Sequence, residues 1–408
     1  MHQHAEIKNK MDCLVAELEE ELERIVTYWM ENTPDEEFGG FYGRIDENNE
    51  VVPGAPKGSV LNARILWSFS ATFNKSGNPD CLNYARQAYE YISDHFIDKE
   101  FGGVYWTVDY QGEPAETKKQ VYAIAFTIYG LSEYYLASAD NASLEKAKEL
   151  FRCLEEHAYD DQEGGYFEAF SRDWSAPGDQ RLSVRDADEK KTMNTHLHMI
   201  EAYTNLYKVW PEPVLRTRII ALLHNFVDHM IDAATGHLVL FLDENWNRRS
   251  ETVSFGHGIE AAWLLMEAAE IVNDPQLSLT IRKISLQMSE SALEGIDENG
   301  GMCYELEDHS QLNREKHWWV QAEAMVGFVN AWQLSGNPAF ADEALLIWYY
   351  VKYHILDRKH GEWHWGINGS GKVMQGEDKV GIWKCPYHNS RACLEIIRRV
   401  QAEKILLE

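Results

Sequence analysis

The sequence predicts an all-α protein: an (α/α)6 barrel of six inner and six outer helices, with short β-hairpin segments at one mouth. Three observations carry this reading. Apolar residues recur every three or four positions over most of the chain, the period of a helix with one buried face. Six glycine-centred segments interrupt that pattern at a nearly constant interval. The helices between them alternate between a charged kind and a nearly apolar kind.

The segments read EFGGFYGRID at Gly39, EFGGVYWTVD at Gly102, EGGYFEAFSRDW at Gly164, TGHLVLFLDENW at Gly236, NGGMCYELEDHS at Gly300 and GEWHWGING at Gly361. Successive glycines are 63, 62, 72, 64 and 61 residues apart. A fixed period outranks local assignments, because each repeat is one supersecondary unit that cannot bury its apolar face alone. Each unit reads as a helix, a tight glycine turn, a short alternating aromatic strand, a loop and a second helix.

The first helices are charged, as in LVAELEEELERIVTYWM and SLEKAKELFRCLEEHA. The second helices begin near Lys57, Lys118, Lys190, Ser254, Lys316 and Lys384. Two of them, VYAIAFTIYGLSEYYLA and HGIEAAWLLMEAAEIV, are apolar nearly all round, which marks buried helices. The charged set is therefore outer and the apolar set inner. No linker is visible, so residues 1–408 read as a single domain closed on itself. An open helical solenoid is the alternative, but it would show atypical capping repeats.

Composition narrows the function. A formal net charge of -28 over 408 residues repels phosphates, which argues against nucleic acid as a partner. No apolar run approaches the roughly 20 residues of a membrane span. The segment MHQHAEIKNKMDCLVAELEEELERIV lacks the pattern of a signal peptide. Six scattered cysteines form no CxxC pair. The expectation is a cytoplasmic enzyme with buried free thiols, no membrane partner and a small-molecule substrate, as a monomer or weak homodimer.

If every inner helix starts from the strand-bearing side, six N-termini share one mouth. Their first turns carry Asn62 and Arg64; Tyr122; Asn194, His196 and His198; His257 and Glu260; His317, Trp318, Trp319 and Glu323; and Trp383, Tyr387, His388 and Asn389. Asn194 and His198, four apart, share a helical face, and His196 points away from it. The spacing thus places His198 in the cavity and His196 between helices. His257 and Glu260, three apart, would let the carboxylate hold the imidazole and raise its basicity.

Taken singly, each of these residues has a structural explanation: a packed histidine, a core tryptophan, an arginine that neutralises a carboxylate. Together they occupy equivalent positions where apolar residues would be more stable, since buried polar groups cost free energy unless paired. There is no HExxH, and a metal site would need His198, His257 and His388 together. Glycoside hydrolysis needs two carboxylates, for which Asp186, Asp188 and Glu260 are the candidates. No glycine-rich phosphate loop is present, and no cofactor is expected. Tryptophans near the predicted mouth, Trp246 among them, suit the apolar faces of sugars. The polar loop at 171–191 reads as a lid.

The segments LNARILW (61–67), GGYFEAFSRDW (164–174), KKTMNTHLHMIEAY (190–203), FGHGIEAAWLL (255–265), KHWWVQAEAMVGF (316–328) and WKCPYHNSRACLE (383–395) resemble the N-acylglucosamine 2-epimerase superfamily over nearly the full length. WKCPYHN and NTHLH resemble its disaccharide branch. The resemblance implies inversion at C2 of the reducing-end glucose of a β-1,4-linked disaccharide, such as cellobiose, lactose or mannobiose. It implies that His257 and His388 are the two acid/base groups, that His198 assists at the O1/O5 side and that Arg64 lies near the developing oxyanion. Tyr122, Asn194, Asp186, Glu260, Trp319 and Trp383 match substrate-contacting or supporting positions, with Trp318 the other choice for the register of Trp319. The alternative on the same barrel is an aldose–ketose isomerase, or a 2-epimerase acting on a monosaccharide such as mannose or N-acylglucosamine.

Overall fold

The computed structural model describes residues 2–307 and 310–407. Twelve α-helices occur among the described residues. In chain order they are α1 (His2–Asn32), α2 (Ser59–Ser76), α3 (Pro79–Tyr91), α4 (Val121–Ser138), α5 (Asn141–His157), α6 (Met193–Val209), α7 (Pro213–Asn225), α8 (Phe255–Val272), α9 (Pro275–Ala292), α10 (Trp318–Ser335), α11 (Pro338–Tyr350) and α12 (Tyr387–Leu407). Even-numbered helices pack in sequence, α2 on α4, then α6, α8, α10 and α12, and α12 packs back on α2. The ring is closed, which removes the open solenoid. Odd-numbered helices form the outer layer, and α1 covers the junction by packing on both α11 and α12.

Close approach within the inner ring rests on small residues. A Cβ on Gly130 of α4 would stand 2.7 Å from the carbonyl oxygen of Ala63 in α2. No non-glycine residue fits there without parting two inner helices.

The six repeat glycines all take positive φ, between 74° at Gly102 and 84° at Gly300. Each donates its N–H to the carbonyl of an aspartate three or four residues earlier: Asp35, Asp98, Asp160, Asp232, Asp297 or Asp357. Five of these carboxylates are held by a buried lysine, Lys57, Lys119, Lys191, Lys316 or Lys379, at 2.5–2.8 Å. Four of these lysines lie in the strands that feed inner helices and Lys379 lies in the bend before the last one, so each bridge ties the end of an outer helix to the approach to an inner one. In the fourth repeat Val253 takes the lysine's place, and Asp232 pairs with Arg248 at 3.8 Å instead.

Strand pairing repeats the closure. The strands are β1 (Lys57–Gly58), β2 (Thr107–Val108), β3 (Pro114–Glu116), β4 (Lys119–Gln120), β5 (Ala169–Phe170), β6 (Lys191–Thr192), β7 (Phe241–Leu242), β8 (Val253–Ser254), β9 (Glu305–Glu307), β10 (Gln311–Asn313), β11 (Lys316–His317) and β12 (Gly366–Ile367). Each strand that feeds an inner helix pairs antiparallel with a strand of the next repeat, as in Lys57–Val108, Lys119–Phe170, Lys191–Leu242 and Lys316–Ile367. A bridge between Ile45 and Val380 joins the last repeat to the first. The strands therefore gather at the N-terminal ends of the inner helices, the mouth at which the histidines stand.

Two features depart from the sequence reading. Helices α3, α7 and α11 each run on into a π-helical turn, at Ile92–Phe96, Phe226–Met230 and Val351–Ile355. Helix α11 is apolar for an outer helix and leaves Leu346 and Tyr349 exposed. All six cysteines are free thiols. No described helix is long and apolar enough to cross a membrane.

Candidate active site

The first turns of the inner helices enclose a cavity of about 370 Å³ lined by Arg64, Tyr122, Asn194, His198, His257, Glu260, Trp318, Trp319, Trp383 and His388, with Asp186 from the loop before α6. Eleven of the twelve residues expected at the site thus meet in one place. The histidines come from α6, α8 and α12. Nδ1 of His198 lies 2.8 Å from Glu201, and Nδ1 of His388 lies 2.7 Å from Glu323. Nδ1 of His257 lies 2.8 Å from the hydroxyl of Ser254. Burial lowers the pKa of all three imidazoles: that of His257 to about 3, and that of His388 with help from the charges of Arg64 and Arg391. Neutral imidazoles with Nδ1 engaged leave Nε2 as the atom able to accept a proton.

Arg64 is buried, and among the described residues no carboxylate pairs with it. One guanidinium nitrogen donates to the hydroxyl of Tyr122 over 2.7 Å, and the planar group lies 4.2 Å from the ring centre of Phe126 and 4.8 Å from that of Tyr387. A buried cation without a counter-charge favours whatever negative charge develops beside it. Nε of Arg64, Oδ1 of Asn194 and the indole N–H of Trp318 have no hydrogen-bond partner among the described residues. All three residues line the cavity, whereas buried polar groups are as a rule satisfied.

Behind the histidines lie three buried carboxylates around one guanidinium. Arg391 bonds Glu201, Glu260 and Glu323. Burial alone would raise the pKa of Glu201, but Arg391 and the bond from His198 outweigh it and hold it at about 2. Glu260 is pushed well above the usual carboxylate range, first by burial and then by the charge of Glu323. Glu260, Glu323 and His388 form a cluster of groups able to hold a metal, but Arg391 already bonds both of its carboxylates.

A second chamber of about 630 Å³ continues from the first, sharing Leu182, Arg185, Asp186, Asn194, His257 and Tyr304. It is lined by Glu168, Glu305, Glu307 and Glu315 as well. Leu182, Arg185 and Asp186 border both chambers, and Ser183 and Val184 the first, as a lid over the site would. The carboxylate of Asp186 accepts the backbone N–H of Ser183 at 2.8 Å, which closes the loop into a turn with Val184 exposed at its tip.

Two expectations are corrected. Glu260 does not hold His257: Arg391 takes that carboxylate at 2.6 Å, and Ser254 supplies the partner of the imidazole. Trp246 does not line the cavity. It packs 4.1 Å from the Lys191 ammonium, stacks on His229 at 4.7 Å and donates its N–H to Glu163. Trp174 has the same role one repeat earlier, stacking on His157 and donating to Phe101. Both hold turns between repeats. His196, as the spacing predicts, packs away from the cavity, with Nε2 accepting from Tyr166 and Nδ1 facing Thr192. Glu201 and Arg391 were missed, although each stands three residues after a site histidine, a spacing that places them on its face. Tyr304 and Trp365 also line the cavity, and nothing in their local sequence marks them; Ser254 reads in the sequence only as a helix start, and His317, named in the first turn of the fifth inner helix, lines the cavity too.

An isomerase-type carbohydrate enzyme is what this barrel and this histidine-lined mouth define, and the comparisons agree. The chain belongs to the N-acylglucosamine 2-epimerase family, whose model matches residues 40–392. A cellobiose 2-epimerase of Bacteroides fragilis is 45% identical over 95% of this chain and 99% of its own. One from Ruminococcus albus is 38% identical over 95% and 99%. The solved structure of a cellobiose 2-epimerase from Spirochaeta thermophila superposes with a TM-score of 0.92 at 37% identity, covering 98% of this chain and 99% of that one.

Proposed function

We propose that the enzyme inverts C2 of the reducing-end glucose of β-1,4-linked disaccharides, cellobiose and lactose among them, through an open-chain cis-enediolate. The observation that carries this reading is the convergence of three neutral imidazoles with a buried guanidinium that no carboxylate among the described residues neutralises. C2 of an aldose is acidic only when C1 is a free aldehyde, so the ring must open first. His198 serves that step, moving the proton between O1 and O5. One of His257 and His388 then removes the C2 proton and the other returns one to the opposite face. They stand on α8 and α12, with Trp319 of α10 beside both, 4.7 Å from His257 and 5.7 Å from His388. Arg64 stabilises the enediolate oxygens without giving up its own proton. The second chamber offers room for the non-reducing sugar, which favours a disaccharide over a monosaccharide.

The test is incubation with cellobiose or lactose in heavy water, with products separated chromatographically and read by NMR. Glucosylmannose or epilactose with deuterium at C2 is expected, because the returning proton comes from a histidine that exchanges with solvent. A ketose as sole product would favour the aldose–ketose isomerase. A product with unlabelled C2 would remove the enediolate.

A further inference from the structure

We propose that Arg391 is a positioning residue of this reaction: it fixes the two carboxylates that aim His198 and His388, so that both present Nε2 to the substrate. The inference rests on reading the cavity as a C2-epimerase site. Arg391 lies three residues after His388 on α12 and is almost wholly buried. Its Nη1 bonds Oε1 of Glu201 and the hydroxyl of Tyr387. The other oxygen of Glu201 faces Nδ1 of His198 at 2.8 Å. Its Nη2 bonds Glu260 at 2.6 Å and Glu323 at 2.7 Å. The Glu323 oxygen bonded by Nη2 is the one that lies 2.7 Å from Nδ1 of His388.

A carboxylate fixes a histidine tautomer only while it is ionised and can accept from Nδ1–H. Three carboxylates around one buried point cannot all stay ionised without a cation. Arg391 supplies one positive charge; burial pushes the pKa of Glu323 up and that of Glu260 further, so Glu260 is the one of the three that takes a proton first. Glu201 and Glu323 are then left as acceptors. His257 stands outside this arrangement, because Ser254 backs it. That asymmetry separates positioning from mere support. Arg391 also ties α12 to α6, α8 and α10, and a purely structural loss would disturb all three histidines or none.

The experiment compares the full-length protein with Arg391→Met and Arg391→Lys, by ¹⁵N-histidine NMR and by kcat and KM on cellobiose against pH. In Arg391→Met, His198 and His388 should lose the Nδ1–H tautomer while the resonances of His257 stay in place. Its kcat should fall about 10²-fold, the scale of a displaced acid/base group, with a much smaller change in KM. Removing a cation raises the proton affinity of the histidine–carboxylate pairs, so the acid limb of kcat should move to higher pH. Arg391→Lys should keep the acid limb but lose part of kcat, since an ammonium cannot bond as a fork. Guanidinium ion should partly restore Arg391→Met, because a cavity of about 850 Å³ at the opposite end of the barrel reaches this residue. A folded Arg391→Met with wild-type kcat and unmoved tautomers would overturn the proposal. If that variant does not fold, Arg391→Lys decides: altered His198 or His388 resonances with His257 unmoved support it, and three unmoved histidines overturn it. Should the wild-type protein not epimerise cellobiose, the functional reading fails, while the NMR comparison still judges Arg391.

Discussion

Nδ1 of His388 lies 2.7 Å from Oε1 of Glu323, whereas the corresponding atom of His257 faces only the hydroxyl of Ser254. The two proposed acid/base groups are thus backed unequally. His257→Ala and His388→Ala should each lower kcat by about 10²–10⁴-fold with the fold intact by circular dichroism. Charge-assisted bonds are about twice as strong as neutral ones. Glu323→Gln should therefore cost more kcat than Ser254→Ala. Near-wild-type turnover in either histidine variant would refute the two-base assignment.

His198 and His196 offer a paired control on one helix. His198→Ala should cut kcat strongly with little change in melting temperature. His196→Ala should do the reverse, because it leaves the buried N–H of Tyr166 without its acceptor, a loss of about 1–3 kcal/mol. Urea unfolding and steady-state kinetics on the same preparations separate the two, and the opposite pattern would show that the cavity face of α6 is misassigned.

Trp319 and Trp246 make a similar contrast. Trp319→Ala removes a ring that touches both histidines, and should raise KM about tenfold, the equivalent of roughly 1.4 kcal/mol. Trp246→Ala should leave KM unchanged and destabilise the fold by about 3–5 kcal/mol, as buried tryptophan truncations do. A raised KM in Trp246→Ala would mean that this residue reaches the substrate after all.

Glu168 gives a pH prediction. Burial pushes its pKa up to about 7, against the bonds from the hydroxyls of Thr192 and Thr195. An unfolded glutamate titrates near 4.3, so between those values the folded state alone holds the proton. Stability should then fall as pH rises through that window, by up to roughly 1.4 kcal/mol per pH unit from this group. Glu168→Gln should lose that contribution and gain stability relative to wild type at pH 8 over pH 4.5. Parallel unfolding curves for the two proteins at all pH values would contradict the assignment.

Much of this was legible because the repeat imposes itself on local chemistry. The glycine turns need positive φ, so Gly39, Gly102 and their counterparts mark the period directly. Lys57, Lys119, Lys191, Lys316 and Lys379, at or next to the lysines that mark the approach to the inner helices, are buried partners of the turn aspartates, hence the recurrence. The face shared by Asn194 and His198 followed from spacing alone. Partner choice did not. Glu260 is close enough to His257 in sequence to hold it, but a guanidinium 131 residues away takes the carboxylate. Trp246 reads like a cavity aromatic, and only its turn reveals that it sits over Gly165 and His196. Trp318 and Trp319 both border the cavity, and Trp319 is the one that contacts both His257 and His388.

The closed ring also dictates when the enzyme can become active during folding. His388 and Arg391 lie on α12, the last helix in chain order, while Glu201, Glu260 and Glu323 belong to three earlier helices. A form in which α12 has not docked between α10 and α2 lacks His388, one of the two proposed acid/base groups, and leaves three carboxylates without their cation, a heavy penalty in a dry interior. Incomplete rings are thereby disfavoured, and closure becomes cooperative. On refolding, helical signal should return first, and turnover should appear only when the sixth repeat locks onto the first.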